Sequence, residues 1–64
     1  MNRKEKREFA RNITKLEMRL QKTTDKEERA NIEATISDMI TNNFSSFTAE
    51  DVTYIDEFIQ ERLR

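Results

Sequence analysis

Residues 3–22 read RKEKREFARNITKLEMRLQK, and this stretch carries two side-chain patterns on opposite sides of one predicted helix. The first pattern is an apolar seam with spacings of four, three and four residues, formed by Phe9, Ile13, Leu16 and Leu20. Such spacing places side chains on one face of an α-helix, and that face needs an apolar surface to cover it. The stretch therefore predicts a long helix that packs along its seam.

The second pattern is a basic face. It consists of Arg3, Arg7, Arg11, Lys15, Arg19 and Lys22. At about 100° per residue, its centre lies roughly 160–200° around the helix from the apolar seam. Residues 1–22 hold eight basic and three acidic side chains, whereas residues 23–43 and residues 44–64 each hold two basic and five acidic ones. The chain, with a net charge of −1, is thus a basic helix followed by two acidic segments.

Length and composition indicate one small helical domain that spans residues 1–64. Charged residues make up 39% of the chain, but its apolar residues recur at helical spacing, which argues against disorder. Glycine and proline are both absent, so little in the sequence would interrupt a helix. Without cysteine or histidine, no disulfide or histidine-bound metal can reinforce the core.

Capping residues divide the chain into three predicted helices. Helix 1 covers about residues 3–22 with Asn2 as its N-cap, and residues 1–8, which precede the first core position, are expected to project or fray. Helix 2 covers about residues 25–42, with a capping box formed by Thr24 and Glu27. A left-handed residue in the pair Asn42–Asn43 is expected to end it.

Helix 3 covers about residues 49–63, with Thr48 as N-cap and Asp51 as the capping-box partner. Phe47 and Val52 have the spacing of a hydrophobic staple across this helix start. The predicted buried faces are Ile32, Ile36, Met39 and Ile40 on helix 2, and Val52, Ile55, Ile59 and Leu63 on helix 3.

These faces align in register when the chain reverses direction twice. The predicted layers are Phe9/Ile40/Val52, Ile13/Ile36/Ile55 and Leu16/Ile32/Ile59, closed at one end by Phe44 and Phe47 and at the other by Leu20 and Leu63. The sequence therefore predicts an all-α, up-down-up three-helix bundle with helices 1 and 3 parallel. The alternative is a hairpin of helices 1 and 2 that dimerises, with the third helix packed across it.

The absent residue types exclude much chemistry. No histidine or cysteine is present to act as a general base, a thiolate nucleophile or a soft metal ligand, and no glycine is present to build a phosphate-binding loop. We therefore expect a protein that is not an enzyme and holds no metal or cofactor. No apolar run approaches the length of a transmembrane helix, so we expect no membrane association and a cytoplasmic location.

The exposed features predict binding. We expect a protein-binding or adaptor module whose partner contacts the basic face, the Tyr54/Phe58 edge of helix 3, or both. Tyr54 is predicted on the outer side of helix 3 and Phe58 between Tyr54 and the buried stripe; Met18, opposite the seam, is a further candidate contact. An alternative is an RNA- or ribosome-binding protein that uses the basic face. A third interpretation is that this face is only solvated, and homodimerisation is left open.

Overall fold

The computed structural model describes residues 2–64, which fold into three α-helices that pack against one another, without a β-strand in that range. Helix α1 spans Arg3–Lys22, α2 spans Lys26–Asn43, a 3₁₀ turn spans Phe44–Ser46, and α3 spans Ala49–Leu63. The predicted all-α three-helix bundle is confirmed. Met1 lies outside the described residues, so its part of the predicted fraying of residues 1–8 stays a prediction. Residues 3–8, also expected to project or fray, instead belong to α1, and Lys6 among them contacts Asp51 of α3.

The cap of α2 differs from the prediction, whereas the other two caps agree with it. Asn2 accepts a hydrogen bond from the Glu5 N–H at 2.8 Å, and the Thr48/Asp51 capping box is present in both directions. Helix α2, however, is capped by Asp25, so the predicted Thr24 box is wrong. The Asp25 carboxylate accepts from two backbone N–H groups, and its negative charge suits a helix amino terminus.

The end of α2 also differs from the prediction. No residue among 2–64 has a positive φ angle, so the left-handed stop at Asn42–Asn43 is wrong. The backbone instead continues right-handed into the 3₁₀ turn, which closes when the Phe47 N–H donates to the Phe44 carbonyl at 3.2 Å. A left-handed residue other than glycine costs about 1–2 kcal/mol, which a right-handed turn avoids.

The apolar seam of α1 forms the centre of the core, as predicted. Phe9 and Ile13 are buried together with Ile32 and Ile36 of α2. The Phe9 ring also meets the Phe47 ring edge-on, with centroids 5.1 Å apart. Partly buried apolar side chains surround this cluster: Leu16, Leu20, Met39, Phe47, Ile55 and Ile59.

Helix α3 is rotated about its axis relative to the prediction. Its buried residues are Asp51 and Phe58, whereas Val52 is 49% exposed. On α1, the small residues Ala10 and Thr14 are also buried, and they lie about one and two turns after Lys6, which contacts Asp51 of α3. The predicted layer Phe9/Ile40/Val52 is therefore wrong, because its members from α2 and α3 are both exposed.

The bundle is open between α2 and α3. Helix α1 packs against both, but no Cα atom of α2 comes within 8 Å of a Cα atom of α3. The Cα radius of gyration is 12.1 Å, compared with about 10.7 Å for a typical compact domain of this length. One side of the core is therefore covered by side chains alone, and Phe44, predicted to close an end, is 68% exposed.

Candidate functional site

The amino-terminal turns of α1 and α3 meet in a charged contact. The Lys6 ammonium lies 3.1 Å from the Asp51 carboxylate and 5.0 Å from the centre of the Tyr54 ring. Hydrogen bonding from the Thr48 N–H is the main cause that lowers the pKa of Asp51, with the Lys6 hydrogen bond second. Asp51 thus belongs to a helix cap and an interhelical ion pair, so its burial has a structural explanation.

Tyr54 does not lie on the outer side of α3, so that placement in the prediction is wrong, and Phe58, predicted at the edge of the core stripe, lies within the core. Phe58 is buried, and the Arg62 guanidinium lies 3.5 Å from the centre of its ring. Tyr54 is half-buried, with its ring 6.2 Å from that of Phe58. Both rings lie on the same side of α3 as Asp51, the side that faces α1, because the capping box and the Lys6 contact set the rotation of α3.

The basic face is exposed along its whole length. All six of its side chains are exposed, and Met18, on the same side of α1, is 37% exposed. Arg19 pairs with Glu28 of α2 at 3.5 Å, and Arg7 borders a shallow depression together with Glu57 and Glu61. Among residues 2–64, five of the six form no ion pair; these are Arg3, Arg7, Arg11, Lys15 and Lys22.

A second surface was not predicted. Between the carboxyl end of α2 and α3 lies a depression of about 210 Å³ whose lining is almost wholly apolar. Its lining residues are Phe9, Ile40, Phe44, Phe47, Val52, Ile55, Asp56 and Ile59. Three of the four exposed large apolar side chains, namely Ile40, Phe44 and Val52, belong to this depression.

The depression continues along α2. A neighbouring cavity of about 320 Å³ shares Ile40 with it and is bordered further along by Ile36, Leu20, Glu17 and Glu33. We call the two together the apolar groove. It follows the open side of the bundle: α2 borders both of its parts, α1 forms the floor, and α3 borders only the part that contains Val52.

The groove escaped prediction because a helical repeat shows which side chains are apolar but not which of them are covered. Ile40 and Val52 were assigned to a core layer, and in the structure they border the groove instead. One signal was available in the sequence, namely the capping position of Asp51. Its pairing with Lys6, which orients α3 so that Asp51 and not Val52 faces α1, appears only in the structure.

The described side chains offer no metal site. Within residues 2–64, no group of three or more Asp or Glu side chains is arranged to hold a cation. In the same range, none of the three helices combines the length and apolar composition needed to cross a bilayer. Comparison with protein-family models, with curated proteins and with solved structures finds no match to this chain. The candidate surfaces are therefore judged on geometry and charge.

Proposed function

We propose that this protein is a small non-catalytic binding module that engages a protein partner through the apolar groove. The observation that carries the proposal is the clustering of Ile40, Phe44 and Val52 along one open side of the bundle. Single exposed apolar side chains are ordinary on protein surfaces, but contiguous ones beside an open cleft are typical of interaction sites. A cytoplasmic location belongs to the same proposal, and fractionation of cells that express the tagged chain tests it.

The basic face supports a second candidate function. Its five unpaired side chains could neutralise phosphates or acidic side chains of a partner, and arginine suits the bidentate geometry of both. RNA or a ribosomal surface would then be the partner. The groove is favoured as the primary site because exposed charge is stable in water, whereas covering exposed apolar surface with a partner lowers the free energy.

Affinity purification of the tagged full chain tests the primary proposal. The groove variant Phe44→Ser/Val52→Ser removes two exposed apolar side chains without touching the buried cluster. We expect it to lose the proteins that the unchanged chain recovers, as measured by quantitative mass spectrometry. Met18→Ser is the matched control, since it removes an exposed apolar side chain on the far side of α1.

A parallel purification separates the second candidate. Arg11→Glu/Lys15→Glu reverses charge at two unpaired positions of the basic face. If this variant loses the partners, nuclease releases them, and the groove variant keeps them, the basic face is the binding site and the partner is a nucleic acid. Retention of every partner by the groove variant contradicts the primary proposal.

A further inference from the structure

We infer that the apolar groove binds an amphipathic α-helix whose apolar stripe is flanked by lysine or arginine. This inference rests on the proposed function and specifies the chemistry of its partner. Three properties of the groove carry it: its length, its mostly apolar lining and the sign of the charges at its edges.

The length of the groove fits a short helix. From Glu33 to Phe44 its α2 wall extends about 16 Å, or three helical turns. A partner helix of that length presents apolar side chains at positions i, i+4 and i+7 or i+8 along one side. The bundle would then become a four-helix arrangement in which the added helix covers the seam of α1.

The lining of the groove selects a helix over an extended segment. Its neutral polar side chains are Ser37 and Thr41, and the remainder are apolar or carboxylate side chains. An extended peptide would bring backbone N–H and C=O groups against apolar side chains, and the helices of the bundle offer no strand edge to pair with them. A helix satisfies its backbone groups internally, so it can enter such a groove without leaving them unpaired.

The charges at the groove select basic flanks. Its charged lining residues are Glu17, Glu33 and Asp56, and no lysine or arginine lines either of its two parts. Partner residues beside the apolar stripe would lie near these carboxylates. Lysine and arginine there are favoured, while glutamate and aspartate are repelled, so charge sets the identity of the partner.

The same charges disfavour a second copy of this chain. Two grooves placed face to face would bring together three carboxylates from each copy. The helix that carries excess positive charge, α1, has its apolar seam in its own core and offers only Met18 as a large exposed apolar side chain. A groove–groove or groove–α1 dimer therefore lacks either charge complementarity or an apolar stripe.

Selection from a displayed library of helical peptides about 16 residues long, with the immobilised full chain as bait, tests the inference. We expect the enriched peptides to share an apolar stripe with lysine or arginine beside it. Replacing those basic residues by glutamate in one enriched peptide should weaken its binding to the full chain at least tenfold, as measured by calorimetry. Glu33→Lys/Asp56→Lys in the chain should reduce that preference, whereas the control Glu57→Lys, outside the groove, should keep it.

Three outcomes in vitro, and a fourth in cells described below, would overturn the inference. The first in vitro outcome is enrichment of peptides with acidic flanks or without a helical repeat. The second is a library that yields no peptide that binds in the groove, and the third is a groove-dependent homodimer in sedimentation. A photo-cross-linker at Val52 in the full chain, used in cells, tests the proposed function separately. Capture there of a protein that lacks a basic amphipathic helix upholds the proposed function and overturns this inference.

Discussion

Asp51 joins three roles at the residue scale: it completes a helix cap, pairs with Lys6 and sets the rotation of α3. Its carboxylate accepts from the Thr48 N–H at 3.0 Å and lies 3.1 Å from the Lys6 ammonium. Both contacts stabilise the charged form, so folding lowers the pKa of this carboxyl below its ordinary value. The contribution of Asp51 to stability therefore depends on pH.

We predict that this contribution disappears under acidic conditions. A group whose pKa is lower in the folded chain stabilises it above the unfolded pKa, about 3.9 for aspartate, and loses that contribution as pH falls through the folded pKa. Asp51→Asn should therefore be less stable than the unchanged chain at pH 7, and the difference should shrink below about pH 4. Urea unfolding at both pH values measures it, and a difference independent of pH would contradict this account.

Arg29 caps the helix that precedes it. Its guanidinium donates to the Leu20 carbonyl at 2.7 Å and to the Thr23 carbonyl at 3.2 Å, at the carboxyl end of α1. Arg29→Ala should lower the free energy of unfolding by about 1–2 kcal/mol, since charged hydrogen bonds to partly buried acceptors are lost. Lys26→Ala, at an exposed position in the first turn of the same helix, is the control. Equal effects from the two substitutions would count against the cap.

At the scale of the element, α3 shows how a helix with well-defined ends can present an unexpected face. Its bounds, Ala49–Leu63, agree with the sequence, because the Thr48/Asp51 box is a local signal. Its rotation depends on Lys6, about 45 residues earlier, which no local repeat reveals. The apolar repeat of α3 also includes Phe58, and the larger aromatic ring is buried in preference to Val52.

Substitutions at two positions distinguish the observed buried face of α3 from the predicted one. Phe58→Ala should reduce the free energy of unfolding by about 3 kcal/mol, and Phe58→Leu by about 1 kcal/mol, if the ring is in the core. Val52→Ala should change it by less than about 0.5 kcal/mol, because that side chain is half-exposed. Chemical denaturation of the three variants provides the comparison. A larger loss of unfolding free energy for Val52→Ala than for Phe58→Ala would show that the predicted face of α3 is the buried one.

The contrast between local capping signals and long-range contacts explains how much of the fold and of the groove could be predicted from the sequence. The apolar seam and the caps at Asn2 and Thr48 are contained in windows of a few residues, so the helices they define were predictable. The groove depends on which apolar faces remain uncovered after packing. Ala10 and Thr14, for example, are buried although they lie off the apolar seam, and a helical repeat does not distinguish such residues from exposed small ones.

At the scale of the whole molecule, charge is separated between one basic helix and two acidic ones. The described structure uses little of that separation internally, since Arg19–Glu28 is the interhelical pair it provides for the basic face. The pair is largely exposed, and exposed pairs contribute about 0–1 kcal/mol. Most of the positive charge of α1 is therefore available to the solvent or to a partner.

We expect Arg11→Glu/Lys15→Glu to leave the fold nearly unchanged. Neither side chain forms an ion pair within residues 2–64, so the free energy of unfolding should shift by no more than about 0.5 kcal/mol per site. Thermal unfolding followed by circular dichroism measures the shift. A loss of several kcal/mol would mean that the basic face supports the fold, and the variant could then not serve as a binding test.

The position of α1 between two helices that do not approach each other has a consequence for hydrogen exchange. Because α2 and α3 are joined mainly through α1, either one can open while the other stays docked. Amides in the middle of α1 should exchange most slowly, and Phe58→Leu should accelerate exchange in α3 more than in α2. A helix bound in the groove would contact both walls, so the two helices would then be protected together, and their exchange rates would report its presence.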